Sequence, residues 1–422
     1  MQRAVTKPFE IEVEGLGHGG DGLVQVDGRT VYVPWTVTGD VIRATTDGAA
    51  RGKLVEVVSP SPRRIEPVCR HFGECGGCVA QHIDAPTYQE WRRTQILGAL
   101  QAHGFQSPRL DEILLVPAGT RRRATFAWRR SKEGVALGFR ARGTHRVVDM
   151  AMCPVLHPAM VAILDDLRRL VARLGVAGRV EVTACDNGLD VTVEQQSEPT
   201  LKMRDAITAF ALAARAVRVS WRSGQAGIPD LVVQHQAPVV TISGLPIAVP
   251  PTAFLQPSVA GEAALQKLVG ELLGGAKRVG DLFSGCGTLS LMIAQGGPVV
   301  AFDSDEQAIG ALRAAAGAAG AQGRSISVHA EVRDLFRRPL DGRELKPYDA
   351  VVFDPPRAGA SAQAEALARS KVSKVVAVSC NPKTFARDAR LLVDGGYAMR
   401  RVIPIDQFIW SQHIELAALF ER

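Results

Sequence analysis

Cys380 closes the apolar run 374–378 and is followed at once by Asn381 and Pro382, residues that break a strand pattern. A thiol where a short buried strand ends faces whatever binds at the sheet edge, so it is a candidate nucleophile; a lone cysteine is otherwise usually a small core filler. Residues at equivalent places on other strands decide between these. The strand predicted at 277–283 carries Asp281 and Phe283 and runs into S-G-C-G-T-L-S. Asp303 ends the next strand, 298–303, and lies 22 positions after Asp281, about where a carboxylate grips a ribose diol. Residues 326–329 lead to Asp334, and 348–354 end in D-P-P-R. Each group stands at the carboxyl end of a predicted strand, the edge at which open α/β sheets bind ligands.

A second reactive set lies near the other end of the chain. C-R-H-F-G-E-C-G-G-C brings Cys69, Cys75 and Cys78 within ten residues, and two glycines inside the tight pair let the backbone wrap a ligand closely. Dense thiols of this kind point to metal ligation. Cys153, in D-M-A-M-C-P, is the natural fourth, because Cys185 falls in a strand-like run and Cys286 in the glycine loop. Four thiolates suit tetrahedral zinc or a [4Fe-4S] cluster, and the spacing does not choose.

The elements that must position these groups divide into three predicted domains. Residues 1–58 alternate apolar and polar in five short runs with glycine turns between them, the size of a closed OB-like β-barrel. S-P-S-P-R-R then reads as a linker into a mixed α/β domain at 59–250, with helices at 87–104 and 159–174 and strands at 179–194 and 216–222. The helix at 87–104 is expected to dock on another domain. Arg121, Arg122, Arg123, Arg129, Arg130, Arg140, Arg142 and Arg146 interleave with Phe126, Trp128 and Phe139, a pattern suited to tracking phosphates while rings stack on unpaired bases. Its bland alternative is a solvated strand face. From about residue 251 strands alternate with helices, predicting a Rossmann-like doubly wound sheet over 251–422.

Composition sets outer bounds. In 422 residues, 46% hydrophobic content supplies two or three cores, and 50 Lys and Arg against 43 Asp and Glu leave +7, which permits a polyanionic partner. No run of roughly 18 apolar residues and no signal-peptide pattern occur, so a cytoplasmic protein without a membrane partner is expected. In that setting seven cysteines argue for metal or catalysis rather than a disulfide framework.

Taken in order, these motifs resemble the S-adenosylmethionine-dependent RNA uracil-5 methyltransferases that carry an N-terminal TRAM barrel and a [4Fe-4S] cluster, and among them the bacterial enzymes acting on 23S ribosomal RNA. The resemblance spans nearly the whole chain: the barrel, C-x5-C-G-G-C followed by Gln81 and His82, Cys153, F-L-Q at 254–256, D-L-F-S-G-C-G at 281–287, D-P-P-R at 354–357, S-C-N-P at 379–382 and H-I-E at 413–415. It implies that Cys380 adds to C6 of a flipped-out uracil and that Glu415 is the general base. It also implies cofactor contacts from Gln256, Phe283, Asp303 and Asp354, an adenine contact from Asp334 in preference to Glu331, and a place for Thr288 where relatives often have Asn. The cluster is then a [4Fe-4S] group on Cys69, Cys75, Cys78 and Cys153. A monomer acting on ribosomal RNA is expected, with transfer RNA the alternative. One departure is F-I-W-S-Q-H-I-E at 408–415, where many relatives have F-P-H-T followed by x-H-V-E. An amino-group methyltransferase is disfavoured by Arg357 after D-P-P and by Cys380. The competing non-enzyme is an RNA-binding or redox-sensing iron-sulfur protein.

Overall fold

The computed structural model describes residues 8–48, 50–132, 134–224 and 227–422. Short, wholly buried runs such as Val279–Leu282 and Ala350–Phe353 have side chains that must be covered on both faces, which suits the middle of a parallel sheet. They form the centre of an eight-stranded sheet ordered Val328–Val332, Val299–Asp303, Val279–Leu282, Ala350–Phe353, Lys374–Ser379, Glu415–Glu421, Ala398–Asp406 and Leu114–Leu115. The first five strands are parallel and Glu415–Glu421 is antiparallel to both its neighbours. The strand order reverses beside Val279–Leu282, so the ligand crevice belongs at the carboxyl ends there. The eighth strand comes from far upstream, with Leu114 and Leu115 paired to Ile405 and Asp406.

Helix Ala85–Gln101 starts where Asp84 accepts a hydrogen bond from the Thr87 N–H and Pro86 fits the first turn. Its Ile96, Ala99 and Leu100 pack in the core of the C-terminal sheet with Phe385 and Phe420. Its other face meets the N-terminal strands, where the Trp91 indole N–H donates to the Gly17 carbonyl and Gln95 donates to that of His18. Hairpin Val239–Ile242 and Leu245–Ala248 also packs on the C-terminal unit, against Ala308, Ile309 and Leu312.

The middle unit is a six-stranded sheet from Asp230–Gln234 to Gly134–Gly138. The helix expected over 159–174 is two, Pro158–Ala162 and Leu164–Val171, separated at Ile163. Phe126 and Trp128 lie in this unit's core, fully covered, which overturns their expected role as base-stacking platforms: alternate positions of strand Arg123–Ser131 face the helices, and those positions carry the rings. At the N-terminus six strands among the described residues stand where five were expected, because the first run divides into Phe9–Glu12 and Gly15–Leu16. The N–H groups of Val13 and Glu14 turn to Asp40 and Leu23, so one run serves two three-stranded sheets around Val24, Val33 and Ile42.

One buried ion pair ties these units together. Arg92 of the helix donates to Asp406 at 2.9 Å with both side chains inaccessible, and the Tyr88 hydroxyl, at 2.5 Å from the second carboxylate oxygen, also accepts from Arg92. Tyr88 further accepts from the Trp410 N–H. Asp406→Ala strands the Arg92 charge in the interior and is expected to lower the unfolding free energy by about 3–5 kcal/mol, measured by urea denaturation. A loss under about 1 kcal/mol would mean that Arg92 reaches water instead.

Candidate active site

The antiparallel register pairs Ser379 with Leu416 and thereby brings Cys380, at the carboxyl end of its strand, beside Glu415, at the amino end of the next. Asn381 fixes the chain just past the thiol. Its side-chain oxygen accepts from the Lys383 N–H to start helix Pro382–Asp394, and its amide donates to the Arg357 carbonyl at 3.1 Å, tying S-C-N-P to D-P-P-R. Asp354 stands at the end of the adjoining strand, 350–353.

A hydrogen-bonded chain joins the two acids. Gln256 Nε2 donates to Asp354 Oδ2 at 3.0 Å, while Gln407 Nε2 donates to Gln256 Oε1 at 3.0 Å and to Glu415 Oε2 at 2.9 Å. Gln256 is itself held by Arg122, whose guanidinium donates to the Gln256 carbonyl at 3.0 Å and to buried Glu262 at 2.7 Å. Burial and the nearby Asp354 push Glu415 up to about 8, opposed by the Gln407 hydrogen bond. Burial pushes Asp354 up to about 7, opposed by Gln256. Neighbouring like charges in a medium of low polarity oppose each other's ionisation. Cys380 is raised to about 12 by burial and then by Glu415 and Asp354, with Arg357 acting the other way.

The neighbouring crevice has the features of a nucleoside site. Phe283 takes φ 62° directly after Val279–Leu282, a left-handed conformation that is strained for a bulky residue and turns the chain into the glycine loop. Gly287 is required there: at φ 94° a Cβ would lie 2.4 Å from Leu312. Asp303 accepts from the N–H groups of Gly285 and Asp305, so it clamps the loop as well as standing at its mouth. Half-buried Asp334 caps its own turn, accepting from the N–H groups of Phe336 and Arg337. Exposed Phe336, which the motifs did not indicate, leaves its ring 5.4 Å from that of Phe283. The carbonyl of Thr288 accepts from Gln266, on helix Val259–Leu273.

The four cysteines of the second set line one cavity of about 700 Å³. Burial raises Cys75 and Cys153 and takes Cys78 up to about 12, each raised further by others of the set. Gly76 lets the loop approach the next segment, since a Cβ there would lie 2.9 Å from the Arg140 carbonyl. Among the described residues no three His, Cys, Asp or Glu side chains gather closely enough to hold one metal ion. Arg121, Phe408 and His413 line the same cavity, and the Trp410 carbonyl accepts from the Val79 and Ala80 N–H groups, so the cysteine loop abuts the segment leading to Glu415.

Four arginines of the cluster are paired with carboxylates. Arg122 is buried on Glu262, Arg123 pairs with Glu181, Arg142 with Asp21 and Arg146 with Glu74. Arg129 and Arg140 remain exposed around a shallow groove shared with His145.

Comparison with known proteins identifies the fold and the family. The chain superposes on the tRNA (uracil-54, C5)-methyltransferase of Pyrococcus abyssi, solved in complex with S-adenosyl-L-homocysteine, with a TM-score of 0.74 over 97% of this chain and 99% of that one at 23% identity. The fold is therefore that of an α/β methyltransferase with a large C-terminal sheet. The tRNA (Uracil-5-)-methyltransferase family profile matches residues 324–422. An uncharacterized RNA methyltransferase of Brucella suis is 40% identical over 99% of both chains, and the 23S rRNA (uracil(1939)-C(5))-methyltransferase RlmD of Halomonas elongata is 32% identical over 98% of this chain and 89% of its own. The chain belongs to the RNA uracil-5 methyltransferase family and is an enzyme that acts on RNA.

Beneath the crevice, Asp281 is buried with Ser290 donating to one oxygen at 2.5 Å and no partner on the other. Burial raises it to about 7. A raised carboxylic acid keeps its proton when folded, so its contribution to stability is whole below the unfolded pKa and is lost as pH rises through the folded one. Between about pH 4 and 7, Asp281→Asn is expected to flatten the fall in unfolding free energy measured by urea titration. An unchanged slope would mean that Asp281 is ionised in the folded protein.

Proposed function

We propose that the chain methylates C5 of a uridine in ribosomal RNA through a covalent adduct on Cys380. The observation that carries this is the pairing of a strand-end thiol with a buried acid. S-adenosylmethionine supplies, when bound, the methyl group and a positive sulfur that favours the Cys380 thiolate. C5 of uracil is too weak a nucleophile unaided; addition of the Cys380 sulfur to C6 makes C5 enolate-like and able to take the methyl. Glu415, in its ionised state, then removes the C5 proton, the C5–C6 double bond re-forms, and the C6–S electrons return to sulfur. Gln256, Phe283, Asp303 and Asp354 would hold the cofactor, with Asp334 on the adenine side, and Thr288 would join them from the glycine loop. The choice of ribosomal over transfer RNA is favoured by full-length likeness to the Halomonas enzyme, whose printed substrate is 23S RNA. Exposed Arg129, Arg130 and Arg140 are the phosphate contacts that remain once the paired arginines are set aside.

On the same reading the N-terminal sheets are a TRAM barrel over 1–58, the middle unit covers 59–250 with hairpin 239–248 lent to its neighbour, and the methyltransferase domain covers 251–422. Cys69, Cys75, Cys78 and Cys153 hold a [4Fe-4S] cluster. Four thiols lining one cavity are the donor set of a cluster in which each iron takes its own cysteine.

Tritium release from C5-labelled uridine in 23S transcripts tests the mechanism. Cys380→Ala is expected to abolish release, and Glu415→Gln to trap RNA on the protein as a band stable in denaturing gels. Release by Cys380→Ala at the wild-type rate would overturn the covalent route, and preference for transfer RNA transcripts would overturn the ribosomal assignment. Anaerobically purified protein is expected to be brown, with iron and acid-labile sulfide in equal amounts, and Cys153→Ser to lose both; a colourless protein holding one zinc would contradict the cluster.

A further inference from the structure

Gln407 has no place in the motifs, yet it bridges the two acids of the site. It is only 5% exposed, and its Nε2 makes both of its donations there, to Glu415 and to Gln256. The orientation is one-way: turning the amide over would set Oε1 against two acceptor oxygens. Oε1 instead lies buried without a partner, beside Gly261. Gly261 sits in the first turns of helix Val259–Leu273, where alanine is the better helix former, but a Cβ there would lie 2.5 Å from Gln407 Oε1. The helix thus leaves room for this amide, and the amide leaves its own oxygen unsatisfied in order to donate twice.

We propose that Gln407 is a positioning residue for proton abstraction, favouring the ionised form of Glu415 through one carboxylate oxygen and leaving the other for the C5 proton. The inference rests on the reading of Glu415 as the base. Other groups do not supply the same help. Facing Glu415 are Asp354 and Cys380, both of which oppose its ionisation or are neutral; Arg357 acts on Cys380. Arg122 is spent on Glu262 behind Gln256, and Arg92 on Asp406 beside Gln407. Removing the donor raises the carboxyl further, so the pH below which the base is protonated moves up. In the step concerned the proton passes from C5 to Glu415, the C5–H electrons form the C5–C6 double bond, and the C6–S electrons go to Cys380. Addition of sulfur and transfer of methyl come earlier and do not need the base.

That separation gives the test. Gln407→Leu and Gln407→Glu are assayed for turnover on uridine RNA from pH 6 to 9, and for adduct formation on the same RNA carrying 5-fluorouridine, which halts before proton loss. For Gln407→Leu the acid limb of turnover is expected to move up by about one pH unit, with about a tenfold loss at pH 7, while adduct formation stays within about twofold of wild type. Gln407→Glu is expected to move the limb further, because it adds a carboxyl to the pair. An unmoved limb in both variants, or equal loss of turnover and adduct formation at every pH, would overturn the proposal. Free turnover by Glu415→Gln would overturn the base assignment, and the inference with it.

Discussion

The pairing of Lys374–Ser379 with Glu415–Glu421 is the constraint on which the site depends. A ladder of backbone hydrogen bonds sets its register, and a slip of one residue would send every side chain of the last strand to the opposite face. Both strands are apolar along nearly their whole buried length, so that slip would expose core residues and strand Glu415 elsewhere. The chemistry is therefore guarded by ordinary hydrophobic burial, and the reacting groups need no special framework of their own.

The same burial creates the electrostatics. Asp281, Asp354 and Glu415 all sit in a poorly polar interior and all hold their protons more tightly than free carboxyls. A site rich in reluctant acids is a good receptor for a cationic ligand, because the incoming charge is met by groups that gain from ionising. Amides rather than cations join the acids, which keeps their affinity for protons adjustable without neutralising the site.

The strand-end rule made much of this legible. It found Cys380, Asp303 and Asp354 because parallel strands present their carboxyl ends to the ligand. Glu415 escapes it, since an antiparallel strand delivers its amino end to the same edge; only the family motif pointed there. Gln407 was within reach: strand Ala398–Asp406 runs parallel to Lys374–Ser379, and the polar pair Asp406 and Gln407 follows its apolar run. Which arginines of the cluster are free to meet RNA was not legible, because charge density in sequence carries no record of partners. Arg122 finds Glu262 and Arg142 finds Asp21, each more than a hundred positions away. Phe126 and Trp128 look alike in sequence whether they face bases or a core, and the helices covering that face settle it.

The strand Leu114–Leu115 is a small addition to the large sheet, but it comes from the front half of the chain. During synthesis it leaves the ribosome long before Ala398–Asp406 exists to receive it, so the sheet cannot be finished until that later strand has emerged as well. A fragment starting near residue 251 would carry that strand with an unpaired edge and with Asp406 deprived of Arg92. Such an open edge invites pairing with a neighbouring molecule, and the catalytic half is thus tied to its own amino-terminal half by the need to stay out of aggregates.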